Sequence, residues 1–329
     1  MKHISIIVPQ GNTIIDTIIA PYNLLKIANT YYKKIKGLEE DFFTIDLVGL
    51  NKEPVQYQNY FQISPTKTID EIAETDLVII TAFTGENLEK DIESNLAFVP
   101  WIKKCKIEND ADIASLCTGA FLLAETCLLD DKPCATHWMT HEYFKQRYPR
   151  VVLMPEKIIC DDNGIMSSGG AYSFLTFMLY LIEKYCGRET AVWCSKFSEI
   201  EFDRIDQNQF MIFNGQKEHD DEPIKQAQLY METNFEEKLN IENIANIVKI
   251  NSRSFLRRFK KSTSNTPLEY IQRVKIEAAK KSLESSDLNI QEVMHHVGYI
   301  DEKAFRNTFR KYTGLSPIKY RSKYNRKKN

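Results

Sequence analysis

The carboxy-terminal third of the sequence repeats itself, and this repeat narrows the possible folds more than any other feature. Ile241, Ile244, Ala245 and Val248 recur 49 residues later as Ile290, Val293, Met294 and Val297. One extra residue then enters. At a spacing of 50, Phe255, Phe259, Lys260, Lys261, Thr263, Pro267 and Tyr270 recur as Phe305, Phe309, Arg310, Lys311, Thr313, Pro317 and Tyr320. Each copy opens with apolar residues at the i, i+3, i+4, i+7 spacing of a helix and passes through a tight turn. It continues in a second helix whose two Phe residues mark the buried face. No β-rich run follows residue 223, so this region is expected to be all-α, two copies of one helix pair.

The exposed face of the second helix in each copy is basic, which is what a helix-turn-helix requires. Apolar residues lock two helices together and leave a polar helix free for a DNA major groove. In the first copy Ser252, Arg253, Leu256 and Arg257 open the recognition helix; in the second, Glu302, Lys303, Arg306 and Asn307 hold the corresponding places. Arginine can bond guanine bidentately and so read sequence. Lys260, Lys261, Arg310, Lys311 and Lys319 suit phosphates, which set register and salt dependence. Two such helices one DNA turn apart, ~34 Å, would read successive major-groove segments. A pair of amphipathic helices with solvated basic faces is the plainer reading of either copy alone. The repeat and the charge distribution together count against it.

That distribution is uneven. Pro223–Asn329 holds 22 Lys and Arg against 11 Asp and Glu, whereas residues 1–222 hold 21 against 34, so a net charge of −2 hides a basic and an acidic part. A basic part suits a polyanionic partner, double-stranded DNA, and an acidic part a separate task. Seven cysteines without a C-x-x-C pair suggest neither a disulfide framework nor a metal site. No apolar run approaches the ~20 residues that span a bilayer. The start reads as a strand rather than a cleaved leader. A cytoplasmic chain with no membrane partner, metal or cofactor is expected.

The acidic part alternates β and α signals. Apolar runs at His3–Val8, Phe43–Leu50, Leu77–Thr81, Asp112–Leu116, Val151–Met154 and Gly164–Ser167 read as strands. Helical patterns cover Ile18–Lys34, Leu88–Lys106, Gly119–Leu129 and Tyr172–Cys186. Strands alternating with helices imply a mainly parallel α/β sheet. The expected domains are residues 1–200, a polar linker at 201–222, the helical domain at 223–325 and a basic tail at 326–329.

Within Ala114-Ser-Leu-Cys-Thr-Gly-Ala-Phe-Leu-Leu-Ala124 a strand runs into Cys117, and Thr118, Gly119 and Ala120 open a helix. A small-residue turn of this kind can hold a nucleophile at an elbow. A helix N-terminus lowers a thiol pKa and offers N–H groups to an anionic or polar ligand. His137, in Ala135-Thr-His-Trp138, is a candidate basic partner, and Ser168-Gly-Gly170 a second such turn. Cysteine is also often a small buried apolar residue, the reading given to Cys105, Cys127, Cys134, Cys160, Cys186 and Cys194.

With these residues in view, 223–325 resembles the AraC/XylS-type DNA-binding domain. Its signature ends in the run from Val297-Gly-Tyr-Ile-Asp-Glu-Lys-Ala-Phe-Arg-Asn-Thr-Phe through Thr313-Gly-Leu-Ser-Pro-Ile-Lys-Tyr-Arg321. Asn307 departs from the family's usual arginine, which Arg257 keeps, and Ser264-Asn265 stands where the second copy has Thr313-Gly314. The elbow region resembles the PfpI-type, class I glutamine-amidotransferase-like fold. The order CTGAFLLA, ATHW, SSGGAYS and helical domain resembles GlxA-like regulators. The resemblance implies a flavodoxin-like α/β domain that senses a small-molecule effector, and a homodimer. It also implies a carboxylate near the cysteine in the enzymatic relatives. That position falls at Thr17, with Asp16 beside it, so no catalytic residue is assigned. A cysteine hydrolase or glyoxalase-like enzyme and a cysteine-based redox regulator are the alternatives. Asp16, Thr17, Cys117, Thr118, Gly119 and His137 are the pocket or redox candidates.

Overall fold

In the computed structural model, which describes residues 1–325 apart from Leu38, Gly85, Glu86, Asp203 and Ile205, the apolar runs of the first half, Val151–Met154 excepted, form one sheet. The basic tail expected at 326–329 lies outside the described residues. The first unit runs β1 (Lys2–Ile7), α1 (Asp16–Lys36), β2 (Phe43–Gly49), β3 (Val55–Tyr57), β4 (Phe61–Ile63), β5 (Lys67–Thr68) and β6 (Leu77–Ile80). It continues with α2 (Leu88–Asn95), α3 (Phe98–Asn109), β7 (Asp112–Ser115), α4 (Ala120–Glu125), β8 (Pro133–Cys134), α5 (His141–Arg147) and β9 (Val152–Leu153). It closes with β10 (Ile159–Asp162), β11 (Ile165–Ser168), α6 (Ser173–Cys186) and α7 (Arg188–Ser198). The main sheet has the order β10-β11-β7-β6-β1-β2-β5. Its neighbours pair in parallel except β10 with β11.

Because side chains alternate across a strand, each strand feeds two cores. Val78 and Ile80 face Ile92, Phe98, Ile102 and Phe121, while Leu77 and Ile79 face Leu25, Phe177 and Met178. Helices therefore cover both faces, as a doubly wound α/β sheet demands. This is the mostly parallel α/β fold expected from the alternation.

Three expectations need correction. The helix read as Leu88–Lys106 is two, α2 and α3. Pro100 lacks an N–H and clashes with the preceding turn, so it is tolerated in the first turn of α3 and not inside a longer helix. The helix read as Gly119–Leu129 is one turn of 3-10 helix, Cys117–Gly119, followed by the six residues of α4. Val151–Met154 contributes β9, which pairs with β8 and stays outside the main sheet. Helices α5 and α7 were not anticipated.

The chain divides into two units between Gln207 and Asn208, inside the segment read as a linker. The second unit contains α8 (Glu222–Thr233), α9 (Ile241–Ile247), α10 (Ser252–Thr263), α11 (Pro267–Ser285), α12 (Ile290–His296), α13 (Glu302–Thr313) and α14 (Pro317–Tyr324). It is all-helical among the described residues. Side-chain caps start most of these helices: Asn240, Asn251, Asn289, Asp301 and Ser316 each accept backbone N–H groups in the first turn, and Thr266 with Glu269 forms a capping box. Two separate cores result. One gathers Ile224, Met231, Ile244, Phe255, Phe259 and Tyr270; the other gathers Ile276, Leu283, Val293, Phe305, Phe309 and Tyr320. Among the described helices only α11 contributes to both.

Candidate nucleic-acid interface and elbow site

In α10 the buried residues are Phe255, Phe259 and Thr263, a stripe at helical spacing. Phe255 and Phe259 lie 5.5 Å apart, and Phe259 meets Tyr270 edge-on at 5.3 Å. That stripe turns Ser252, Arg253, Leu256, Arg257, Lys260 and Lys261 outward, all exposed. The six residues expected to meet DNA share one face of the helix. Leu256 is 46% exposed, a large apolar side chain beside two arginines.

Helix α13 repeats the build. Phe305, Phe309 and Thr313 are buried, and Phe309 meets Tyr320 edge-on at 5.4 Å. Glu302, Lys303, Asn307, Arg310 and Lys311 are exposed, as is Lys319 on α14. Arg306 differs from its neighbours, because its Nε donates to the Glu302 carboxylate at 2.7 Å. The tyrosines repeat too: Tyr270 Oη donates to Glu232 at 2.6 Å and Tyr320 Oη to Glu284 at 2.5 Å.

Two details were not legible in the sequence. Arg258, adjacent to Arg257, turns away from the bare face and grips Asp221 with Nε at 2.9 Å and Nη2 at 2.6 Å. The turn after α10 is also aligned differently from the expectation. The left-handed residue is Ser264 (φ 55°), opposite Gly314 (φ 71°), and Asn265 follows it. Asn265 instead bonds Thr263 O and Gln216 through its side-chain amide.

In the first unit β7 delivers Cys117 with φ 53°, an elbow conformation that few non-glycine residues adopt. Gly119 follows because a Cβ there would lie 2.6 Å from Ile80 O and 2.7 Å from Thr81 O. The hydroxyl of Thr118 donates to Phe83 O at 2.7 Å and accepts from Phe83 N at 2.8 Å, fixing the elbow to the end of β6. Thr136 Oγ1 donates to Cys117 O at 2.9 Å.

The expected chemistry is not assembled there. Cys117 is 1% exposed, and burial pushes its thiol up from the ordinary value, against the lowering effect of the Ala171 and Thr118 N–H groups. A lowered thiol pKa at the helix start was the expectation; desolvation outweighs it. The Gly119 N–H is taken by Leu116 O at 2.8 Å, and that of Ala120 by Cys117 O and Thr118 O. These two do not point at a ligand. Asp16 is exposed and accepts the Tyr172 hydroxyl at 2.9 Å. Thr17 is buried, donating to Ile14 O at 2.6 Å and accepting Ala82 N–H at 3.0 Å. His137 is half-buried; its Nδ1 accepts the Met139 N–H at 3.1 Å, and burial lowers its pKa, so the ring is held neutral. Cys105, Cys134, Cys160 and Cys194 are buried, Cys186 is half-buried and Cys127 is exposed.

The Ser168–Ala171 turn joins these groups. The His137 ring packs on Gly170, where a Cβ would lie 2.2 Å from Cδ2, and the Ala171 N–H reaches the thiol. Gln207, which sequence reasoning placed in a linker, plugs this turn. It is 1% exposed; its Oε1 accepts the Gly170 N–H at 3.3 Å and its Nε2 donates to Thr136 O at 3.1 Å and Pro155 O at 3.0 Å. No local pattern marks it, since its partners lie far away in the chain.

Comparison with known proteins agrees with this division. The DJ-1/PfpI family model matches residues 28–184, and a helix-turn-helix domain model matches residues 244–323. The HTH-type transcriptional regulator GbdR of Pseudomonas aeruginosa is 25% identical over 272 residues, covering 82% of this chain and 72% of its own. The isonitrile hydratase of Pseudomonas putida is 25% identical over 148 residues, 45% of this chain and 61% of its own. Drosophila melanogaster DJ-1beta superposes with a TM-score of 0.50 at 18% identity, covering 61% of this chain and 98% of its own.

Proposed function

We propose that this chain, an AraC-family DNA-binding transcriptional regulator with a DJ-1/PfpI amino-terminal domain, recognises its promoter chiefly through α10 and responds to a small metabolite through its α/β unit. The observation that carries the first half is the bare face of α10. Arg253 and Arg257 stand one turn apart on it, with Ser252 and Leu256 alongside, and none of the four is needed for the core. Arg257 is assigned to a guanine edge, Leu256 to apolar contact with a thymine methyl, and Lys260 and Lys261 to phosphates. Helix α13 is assigned to the next major-groove segment, where Lys303 reads a base edge and Arg310 with Lys311 hold phosphates, while Glu302 and Asn307 make base reading by Arg306 weaker than that by Arg257.

The test is Arg257→Ala. Loss of one bidentate base contact costs roughly 1–3 kcal/mol of discrimination, so the variant is expected to lose about 5- to 150-fold of its preference for promoter over unrelated duplex, and to relax the base preference at one position, at unchanged melting temperature. An unchanged selected sequence and affinity would defeat the assignment.

The effector reading rests on the elbow. A strained Cys117, a half-buried neutral His137 and the Ser168–Ala171 turn lie together at the carboxyl ends of the parallel strands, where open α/β sheets bind ligands. One relative of this unit, similar over 148 residues, carries the name of an enzyme, isonitrile hydratase. In this chain the thiol is raised and Asp16 is occupied by Tyr172, which favours binding over catalysis and over a peroxide-sensing thiol. A thermal-shift screen with polar metabolites, repeated on Cys117→Ala, tests it: a hit lost in the variant supports the elbow, and a hit retained moves the effector elsewhere. The α/β unit is assigned the homodimer contact, to be read from sedimentation of the full chain.

A further inference from the structure

The two cores of the helical unit do not merge. Among the described residues, apolar packing bridges them through helix α11 and through Phe235 of the α8–α9 loop, which packs against the second core, and a polar contact lies at the same junction. Helix α11 contributes Tyr270 and Ile271 to one core and Ile276, Ala279 and Leu283 to the other, and at the changeover lies the buried Lys275, 8% exposed. A lysine is rarely placed there, because burying an ammonium group is costly unless its donors are used. Both acceptors of Lys275 are backbone carbonyls from distant parts of the unit. Its Nζ donates to Glu237 O, in the α8–α9 loop that leads into the first copy, at 3.3 Å, and to Gly298 O, in the turn of the second copy, at 3.0 Å. The ring of Tyr299 lies 5.5 Å from the same nitrogen.

Gly298 completes the junction. It has φ 71°, and a Cβ there would lie 2.1 Å from Glu236 O and 2.6 Å from Lys275 Nζ. The second turn thus touches the backbone of the α8–α9 loop that leads into the first copy. In the first copy the matching turn residue is Lys249, also left-handed at φ 56°, so the backbone shape alone does not demand glycine. The close approach does. His296 Nε2 lies 3.7 Å from the Glu236 carboxylate at the rim of the same contact.

We infer that Lys275 and Gly298 form a polar clamp that fixes the angle between α10 and α13, and so restricts the protein to one spacing between its two DNA half-sites. Lys275 is a positioning residue: it acts through the two turns it ties and touches no base. The inference rests on the proposal that both helices enter the major groove.

The experiment selects binders for the full-length chain from random-sequence duplexes long enough for two half-sites. The wild type is expected to enrich a two-part motif at a single spacing. Lys275→Met, which keeps the stem and removes the donors, is expected to enrich the same first part with the second part spread over several spacings. It should lose roughly tenfold in affinity for the wild-type motif, the scale of one mismatched base pair. Lys275→Arg, which keeps the donors, is expected to restore the single spacing. Retention of the first part in K275M serves as the folding control; if K275M enriches nothing, Lys275→Gln is read in its place by the same criterion. A single unchanged spacing in the folded variant overturns the clamp alone. A one-part motif from the wild type overturns the two-helix reading and the clamp with it.

Discussion

Glu302 and Arg306 are joined across one turn of α13, the guanidinium Nε lying 2.7 Å from the carboxylate. In α10 the same two positions are Ser252 and Leu256, and the residue one turn before Arg257 is Arg253. The first recognition helix therefore presents two cations that repel each other outward. The second spends one of its cations on its own acid.

Removing that acid should strengthen DNA binding. Glu302→Gln frees Arg306 and deletes a charge that phosphates repel. The affinity for any duplex is expected to rise several-fold at low salt, and the slope of log affinity against log salt to steepen by about one. Anisotropy titrations at a series of salt concentrations measure both; an unchanged slope means that Arg306 does not reach the backbone.

The two cores should fail separately. Phe305 is fully buried in the second core, and Phe305→Ala is expected to cost about 3–5 kcal/mol through lost transfer energy and the cavity left behind. Hydrogen exchange should then show fast amides in α12 to α14 while α8 to α10 stay protected. Uniform loss of protection would show that the cores are coupled.

Gly119→Ala sets a methyl group against two carbonyl oxygens of the strand end. The loss is expected to be about 3 kcal/mol or more, since backbone cannot retreat as a side chain can. The melting of the α/β unit followed by near-ultraviolet circular dichroism measures it, and a melting point within a degree or so of wild type would contradict the close approach.

His137 should make the α/β unit sensitive to acid. Burial lowers its folded pKa beneath the ordinary value near 6.5. The unfolded chain then binds the proton first, so the contribution of a neutral His137 is complete above that value and is lost as pH falls through the folded pKa. Melting temperatures of wild type and His137→Gln are expected to run parallel at pH 7–8 and to differ below about pH 6.5, with the wild type falling faster. Parallel curves down to pH 5 would remove His137 from the acid response.

How far the sequence could be read depended on the range of the interaction. Phe255, Phe259, Phe305 and Phe309 were legible because helix periodicity is a local rule: residues four apart share a face whatever lies beyond. The strands carrying Ile4, Ile79 and Ile113 were legible as short apolar runs, the local mark of strands buried on both faces. The break between α2 and α3 is also encoded locally, in Pro100, but the surrounding apolar pattern continues through it and masks it. Arg258, by contrast, cannot be told from Arg257 without knowing that Asp221 sits beneath it.

An α/β part with a cysteine at a strand-to-helix elbow, and a repeated helix-turn-helix part with basic outer faces, follow from local pattern along the chain. What each of those features is free to do depends on contacts that only folding makes. The Gly119 and Ala120 N–H groups are already spent on local carbonyls. Gln207, 37 residues beyond Gly170, seals the elbow's turn. Lys275, with no acidic side chain among its hydrogen-bond partners, holds two turns together through their carbonyls. The physical reason is the same in each case. Apolar spacing is carried by neighbours along the chain, whereas the satisfaction of a buried polar group is set by atoms that only folding brings within 3.5 Å of it.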